Sequence, residues 1–128
     1  MRVLLDTHVF LWWVEGDRAL PVKVRDVLAN PDTECLVSLA SAWEMSIKAS
    51  LGKLKLAQSV RRYMDEYVMA NGFRYLEIRM PHIGRVETLP AHHGDPFDRL
   101  LIAQALEEKL PIVTADPVFR KYGVKRIW

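Results

Sequence analysis

The sequence predicts an α/β layer fold built on a parallel sheet. Three observations carry that expectation. Short apolar runs such as Val3-Leu4-Leu5 and Cys35-Leu36-Val37 lack the alternation of a half-exposed strand and suit strands covered on both faces. Segments with apolar residues at helical spacing separate these runs, as βαβ crossovers require. The chain has 128 residues and no internal repeat, low-complexity tract or long linker, so residues 1–128 are expected to form one domain.

Taken in order, Val3-Leu4-Leu5 is the first strand and ends at Asp6-Thr7. Val9 to Val14 is a short helix or apolar turn. Pro21 to Asn30 is a helix, with proline at its start and Val24, Val27 and Leu28 on one face. Cys35 to Leu39 is a second buried strand, and Ser41 to Leu51 a helix stopped near Gly52. From Ser59 to Ala70, Val60, Tyr63, Met64, Tyr67 and Val68 follow helical spacing and Gly72 is the stop. Phe73 to Ile78 is the third strand and Pro81 to Leu89 a short helix. Pro96 to Lys109 is a long, mostly apolar helix, expected at the centre of the fold. Pro111 to Thr114 is the fourth strand, Pro117 to Lys121 a helical turn, and Val124 to Ile127 the fifth strand.

Composition narrows the function classes. Half the residues are hydrophobic and 27% are charged, which supports a packed core and excludes disorder as the main state. Eighteen basic and sixteen acidic residues leave a net charge of +2, so any nucleic-acid binding must use local contacts rather than bulk charge. The single cysteine, Cys35, excludes an intrachain disulfide framework and reads as a core residue. No apolar stretch approaches the ~20 residues of a membrane span, and a strand-like run begins almost at Met1, so the expected location is the cytoplasm.

In a parallel sheet every strand points its C-terminal end at one edge, and ligands bind there. Asp6 ends the first strand, Glu44 follows the second, Asp116 follows the fourth, and Asp98 opens the central helix. Taken singly, each has an ordinary explanation. Ser41 and Glu44 match a capping box, Asp95-Pro96-Phe97-Asp98 matches an N-cap with an acid in the first turn, Asp116-Pro117 repeats that device, and Asp6-Thr7 suits an Asx turn. Taken together, the placement changes the weight. Carboxylates about 5 Å apart repel by roughly 1 to 3 kcal/mol per pair, so a fold that gathers them must protonate some or bind a cation. Oxygen donors without clustered cysteine suit Mg2+ or Mn2+, and such an ion activates water toward a phosphodiester.

Competing machinery is absent. There is no phosphate-binding glycine loop, no dinucleotide turn and no nucleophile elbow. His92-His93 lacks the spacing of a helical zinc pair and reads as a polar loop before the central helix. Thr7 and Thr114 are placed to orient a carboxylate or a water, with Asp95 and Arg99 as further residues around the acids. Lys48, Lys53, Lys55, Arg61, Arg62, Arg99, Lys121, Lys125 and Arg126 are the cations available for phosphate, most of them expected as solvated surface charges. Trp12-Trp13 cannot both face inward easily on a short helix, and Trp43 flanks Glu44; one of the three is expected at a partner interface. A phosphohydrolase of the haloacid-dehalogenase type needs a second acid at position 8, where this chain has His8. A non-catalytic RNA- or protein-binding module, with the acids serving only as caps, is the remaining alternative.

Four stretches, in order, carry a resemblance: Leu4-Leu5-Asp6-Thr7, the run from Val37 through Trp43-Glu44 to Lys48, Asp95-Pro96-Phe97-Asp98-Arg99 through Ala105, and Val113-Thr114-Ala115-Asp116. With them the chain resembles the PIN-domain ribonucleases, specifically the VapC-type toxins of toxin–antitoxin pairs. The resemblance implies a three-layer α/β/α sandwich with a mostly parallel central sheet. It implies an acidic quartet of Asp6, Glu44, Asp98 and Asp116, with Asp6 and Asp98 as the main Mg2+ ligands. The implied activity is metal-dependent endoribonuclease cleavage of RNA, and the implied partners are a VapB-like antitoxin and a second copy of the chain in a homodimer.

Overall fold

The computed structural model describes residues 1–128. The order of elements is β1 (Arg2–Leu5), α1 (Thr7–Glu15), α2 (Val22–Ala29), β2 (Glu34–Ser38), α3 (Leu39–Ser50), α4 (Val60–Ala70), β3 (Arg74–Leu76), α5 (Met80–Thr88), α6 (Pro96–Glu108), β4 (Ile112–Val113), a 3-10 turn (Pro117–Tyr122) and β5 (Arg126–Ile127). The strands form one sheet in the order β3-β2-β1-β4-β5, and every neighbouring pair is parallel.

Side-chain alternation along the strands divides the core into two layers. Val3, Leu5, Cys35, Val37 and Val113 pack with Phe10, Val24, Met45, Met64 and Val68 on one face. Leu4, Leu36, Leu76 and Ile112 pack with Leu101, Ile102, Ala105 and Phe119 on the other. Helices therefore cover both faces, which is why β1 reads as an unbroken apolar run. Leu4 and Leu5 are fully buried, each side chain contributing about 2 kcal/mol of hydrophobic stabilisation. The α6 helix runs through the second layer with Leu101, Ile102 and Ala103 fully buried, the central position its composition suggests.

Several boundaries differ from the sequence expectation: α1 starts at Thr7 rather than Val9, and β3 spans Arg74–Leu76 rather than Phe73 to Ile78. The α3 helix starts at Leu39, not Ser41: the hydroxyl of Ser38, the last residue of β2, accepts the Ala40 amide at 3.0 Å and caps the helix directly off the strand. Glu44 is thus the sixth residue of α3, past its first turn, and the capping-box reading of Ser41 and Glu44 is wrong. The strands β4 and β5 span only two residues each. Their ladder nevertheless continues beyond the labels, with Leu4 N donating to Pro111 O at 2.9 Å and Thr114 N to Ile127 O at 3.2 Å.

From β1 the chain crosses toward β2 and β3, while β4 and β5 lie on the other side of β1. The C-terminal ends of β1 and β4 therefore flank the point where the sheet's winding changes direction, the place where open α/β sheets form a crevice.

Candidate active site

Each acid owes its position to a local structural device. Asp6 follows β1 in extended backbone and caps α1; its Oδ1 accepts the His8 amide at 3.4 Å while its Oδ2 receives the Thr114 hydroxyl at 2.6 Å. Asp116 caps the 3-10 turn through Oδ1, bonded to Val118 N at 2.9 Å, and leaves Oδ2 toward His93. Asp95 caps α6 through Oδ1, which accepts from Phe97 N and Asp98 N at 2.8 and 3.1 Å. Asp98, one turn into α6, extends Oδ2 to His93. Capping and site formation are thus compatible at Asp116, where Oδ1 serves the 3-10 turn and Oδ2 is left toward His93, whereas both oxygens of Asp6 are hydrogen-bonded within the protein.

Glu44 is built differently. It is buried on α3, with Oε1 accepting the Thr7 hydroxyl at 2.7 Å and Oε2 accepting Lys48 Nζ at 2.5 Å. Thr7 is also hydrogen-bonded to Ser41 Oγ at 2.8 Å, which explains a buried serine inside a helix. Lys48 is held above its ordinary pKa, chiefly by that bond to Glu44 and further by the charges of Asp95 and Asp98. It is the resident cation of the cluster.

Asp6, Asp98 and Asp116 line an open cleft of about 360 Å³ together with His8, Trp12 and Ala115. Their electrostatics show how closely they crowd. Asp98 is pushed up to about 8, first by burial and then by the charges of Asp6, Asp95, Glu44 and Asp116. Asp6 is also raised, mainly by burial, with the Thr114 hydroxyl working in the opposite direction. The four acids that sequence position brings to one edge are therefore near enough to feel one another.

His93, read from sequence as part of a polar loop, lies inside the site. Its Nε2 is 2.9 Å from Asp98 Oδ2 and 3.3 Å from Asp116 Oδ2. Its Nδ1 accepts the Asp95 amide at 3.1 Å. An acceptor nitrogen carries no proton, so the proton of the neutral ring is on Nε2 and points at both carboxylates. With Nδ1 committed in this way, the ring acts as a donor to the acids; a metal at Nε2 would need that proton removed. The loop is fixed from behind, because Tyr122 Oη accepts the His92 and His93 amides at 3.0 and 2.6 Å. The only sequence signal was the position of His93, two residues before an N-cap.

Three of the cations named for phosphate, Lys48, Arg99 and Arg126, are turned to other uses. Arg99 does not stand beside Asp98 as its neighbour in sequence suggests. Its guanidinium donates to the carbonyls of Pro90, Leu89, Val86 and His93 at 2.9 to 3.4 Å and ties down the loop before α6. Arg126 holds the carbonyls of Thr114 and Ala115 at 3.0 and 2.7 Å. Helix residues three or four apart share a face, and Lys48 meets Glu44 by that rule.

The donor set fits a hard divalent cation. Three carboxylates line the cleft, His93 beside them presents a proton rather than a lone pair, and Asp98, raised first by burial and then by the neighbouring acids, is where a cation would relieve the crowding of charge.

The PIN domain family model matches residues 3–125. The chain belongs to the PIN-domain family. Within it, the chain is 30% identical over 121 residues to Ribonuclease VapC22 of Mycobacterium tuberculosis, covering 94% of this chain and 91% of that protein. Solved structures share the fold. VapBC2 from Rickettsia felis, bound to a DNA fragment from its promoter, superposes with a TM-score of 0.73 at 14% identity, over 99% of this chain and 98% of that one. DNA-bound VapBC from Salmonella typhimurium gives 0.72 at 15% identity, over 99% and 97%. FitAcB from Neisseria gonorrhoeae gives 0.66 at 17%, over 100% and 97%. The PIN sheet with helices on both faces is thus the architecture the sequence predicted.

Proposed function

We propose that this PIN-domain protein is a divalent-metal-dependent endoribonuclease, the toxin of a VapBC-type pair. The observation that carries the reading is the convergence of Asp6, Asp98 and Asp116 on one cleft, with Asp98 pushed up to about 8 first by burial and then by its acidic neighbours. The likeness to Ribonuclease VapC22 over nearly the whole chain supports the choice of RNA.

In this reading Asp6, Asp98 and Asp116 hold the ion, Mg2+ or in its place Mn2+. When bound, it neutralises charge on the phosphodiester and acidifies the attacking water. The protein's own groups prepare that chemistry. Thr114 holds Asp6 Oδ2 in one orientation. Lys48 and Thr7 occupy both oxygens of Glu44, so Glu44 contributes its charge and its hold on Lys48, while the three aspartates line the cleft. His93 keeps Asp98 and Asp116 turned toward each other. Hydrolysis joins the water oxygen to phosphorus and releases the leaving sugar oxygen with a proton.

The partner reading rests on α3. Leu39, Trp43, Ile47 and Leu51 recur every fourth residue, and all are exposed, at 37 to 62%. An apolar stripe of this kind marks an interaction surface, and we assign it to the antitoxin. Trp43 would then be the interface residue among Trp12, Trp13 and Trp43. The toxin's assembly is proposed as a homodimer, which light scattering checks, and its location as the cytoplasm. No helix is long and apolar enough to cross a membrane.

The test is cleavage of single-stranded and structured RNA in Mg2+ by the wild type, Asp6→Asn and Asp98→Asn, with and without EDTA. The reading expects a loss of at least about 100-fold in each variant and in EDTA, the scale on which removal of key electrostatic groups acts. Variants that cut as fast as the wild type would overturn it. An aspartyl-phosphate trapped on Asp6 would instead support the phosphohydrolase alternative.

A further inference from the structure

An RNA strand approaching this cleft meets mainly carboxylates. The protein's net charge is only +2, and Lys48, Arg99 and Arg126 are engaged with Glu44 and with backbone carbonyls. A bound cation answers for one phosphate. Holding the strand in register then needs a contact that does not depend on charge.

The same cleft supplies one. Trp12 and His8 lie in its lining beside Asp6, Asp98 and Asp116. They are one helical turn apart on α1, the helix that Asp6 caps, so their rings share a face. The ring centroids of His8 and Trp12 are 5.8 Å apart. Trp12 also neighbours Trp128, with ring centroids 6.1 Å apart. The indole is half-buried against the core, while His8 is exposed. The other tryptophans near the acids are otherwise engaged: Trp13 donates its indole N–H to Asn71 Oδ1 at 3.0 Å, and Trp43 packs edge-on to Phe97 at 5.0 Å. A rigid, partly exposed indole next to a phosphate site is the arrangement by which proteins take up single-stranded bases, because every base offers a π face.

We propose that Trp12, flanked by His8, is a stacking subsite for the nucleobase adjoining the scissile phosphate. The inference rests on the ribonuclease reading of the acid cleft. Trp12 would select for an unstacked base rather than for base identity, and would act on substrate binding rather than on the bond-breaking step.

The test measures KM and kcat separately on an RNA oligonucleotide that the wild type cuts, with Trp12→Leu, Trp12→Phe and His8→Ala, and with abasic nucleotides placed one at a time around the cut. The expected result is a rise in KM of about tenfold for Trp12→Leu with kcat within about twofold, recovery in Trp12→Phe, and a smaller rise in His8→Ala. One abasic position should reproduce the tenfold loss in the wild type and add nothing further in Trp12→Leu, since the same contact is removed from either side. Equal KM for wild type and Trp12→Leu would overturn the subsite, as would abasic losses that add to the mutation at every position. Should Trp12→Leu fail to fold, His8→Ala and the abasic series on the wild type decide: no abasic position that raises KM means no stacking subsite. A wild type that cuts no RNA in Mg2+ is a different failure, which removes the ribonuclease reading and this inference with it.

Discussion

Replacing Asp98 by asparagine should stabilise the metal-free protein at neutral pH. The substitution keeps the shape of the side chain and removes its charge. Asp98 titrates near 8 in the fold against an ordinary value of 3.8. A raised carboxyl binds its proton more tightly in the folded than in the unfolded state, so its contribution is full below about pH 4 and is lost as the pH rises through 8. At pH 7 the loss is at most about 4 kcal/mol, from some three pH units at 1.36 kcal/mol each. Water in the open cleft and adjustment of the side chains relieve part of this crowding, so about 2 kcal/mol is expected. Urea denaturation of EDTA-treated wild type and Asp98→Asn at pH 5, 6, 7 and 8 measures it. The two should converge toward acid pH, and the variant should be the more stable at pH 7 and above. Adding Mn2+ should reverse the order, because an ion that binds only the folded wild type raises its stability by about 2.7 kcal/mol at a hundred times its Kd. A variant less stable than the wild type at pH 7 without metal would show that the acids do not crowd as the structure places them.

Three further outcomes follow from the same geometry. His93→Ala should weaken Mn2+ binding by about 10- to 100-fold, and His93→Gln, which keeps a donor, should recover part of it; calorimetric titration measures both, and nitrogen hyperfine coupling in the Mn2+ resonance spectrum would contradict the donor role by showing the ring on the metal. Thr114→Val removes the hydroxyl from a buried carboxylate oxygen, which costs about 1 to 3 kcal/mol against the charged form of Asp6; Mn2+ affinity at pH 7 should fall by about tenfold or more while the fold persists by circular dichroism. A double Ile47→Glu, Leu51→Glu variant changes exposed positions, so its melting point and RNA cleavage should stay close to wild type while co-purification with the antitoxin is lost; retained co-purification would move the partner to another face.

The fold was legible because it is written in hydrophobic pattern. Leu4 and Leu5 face opposite layers, and only a sheet covered on both sides makes that pair apolar throughout. The acids were legible as a group because strand ends in a parallel sheet share an edge. What sequence left hidden depends on contacts between distant residues. Nothing local distinguishes Ser41 as a buried partner of Thr7 from Ser41 as a helix cap; the difference is made by Ser38, which caps α3 straight from the strand. His93 was hidden because a histidine in a Gly- and Pro-bounded loop looks solvated until Tyr122 and Arg99 pin the loop over the cleft. Arg99 misled for the converse reason: next to Asp98 in sequence, it points away to four carbonyls. The polar chain on α6, where Gln104 links Ser38 Oγ to Glu77 O and the buried His82 pairs with Glu108, was equally silent, since its partners lie 22 or more residues apart.

Anomalous diffraction from a crystal soaked in Mn2+ gives the most direct answer. One strong peak within bonding distance of carboxylate oxygens from Asp6, Asp98 and Asp116, with His93 bonded to the acids and not to the ion, is the expected picture. A saturated crystal with no density between those three side chains would mean that the cleft is not a metal site.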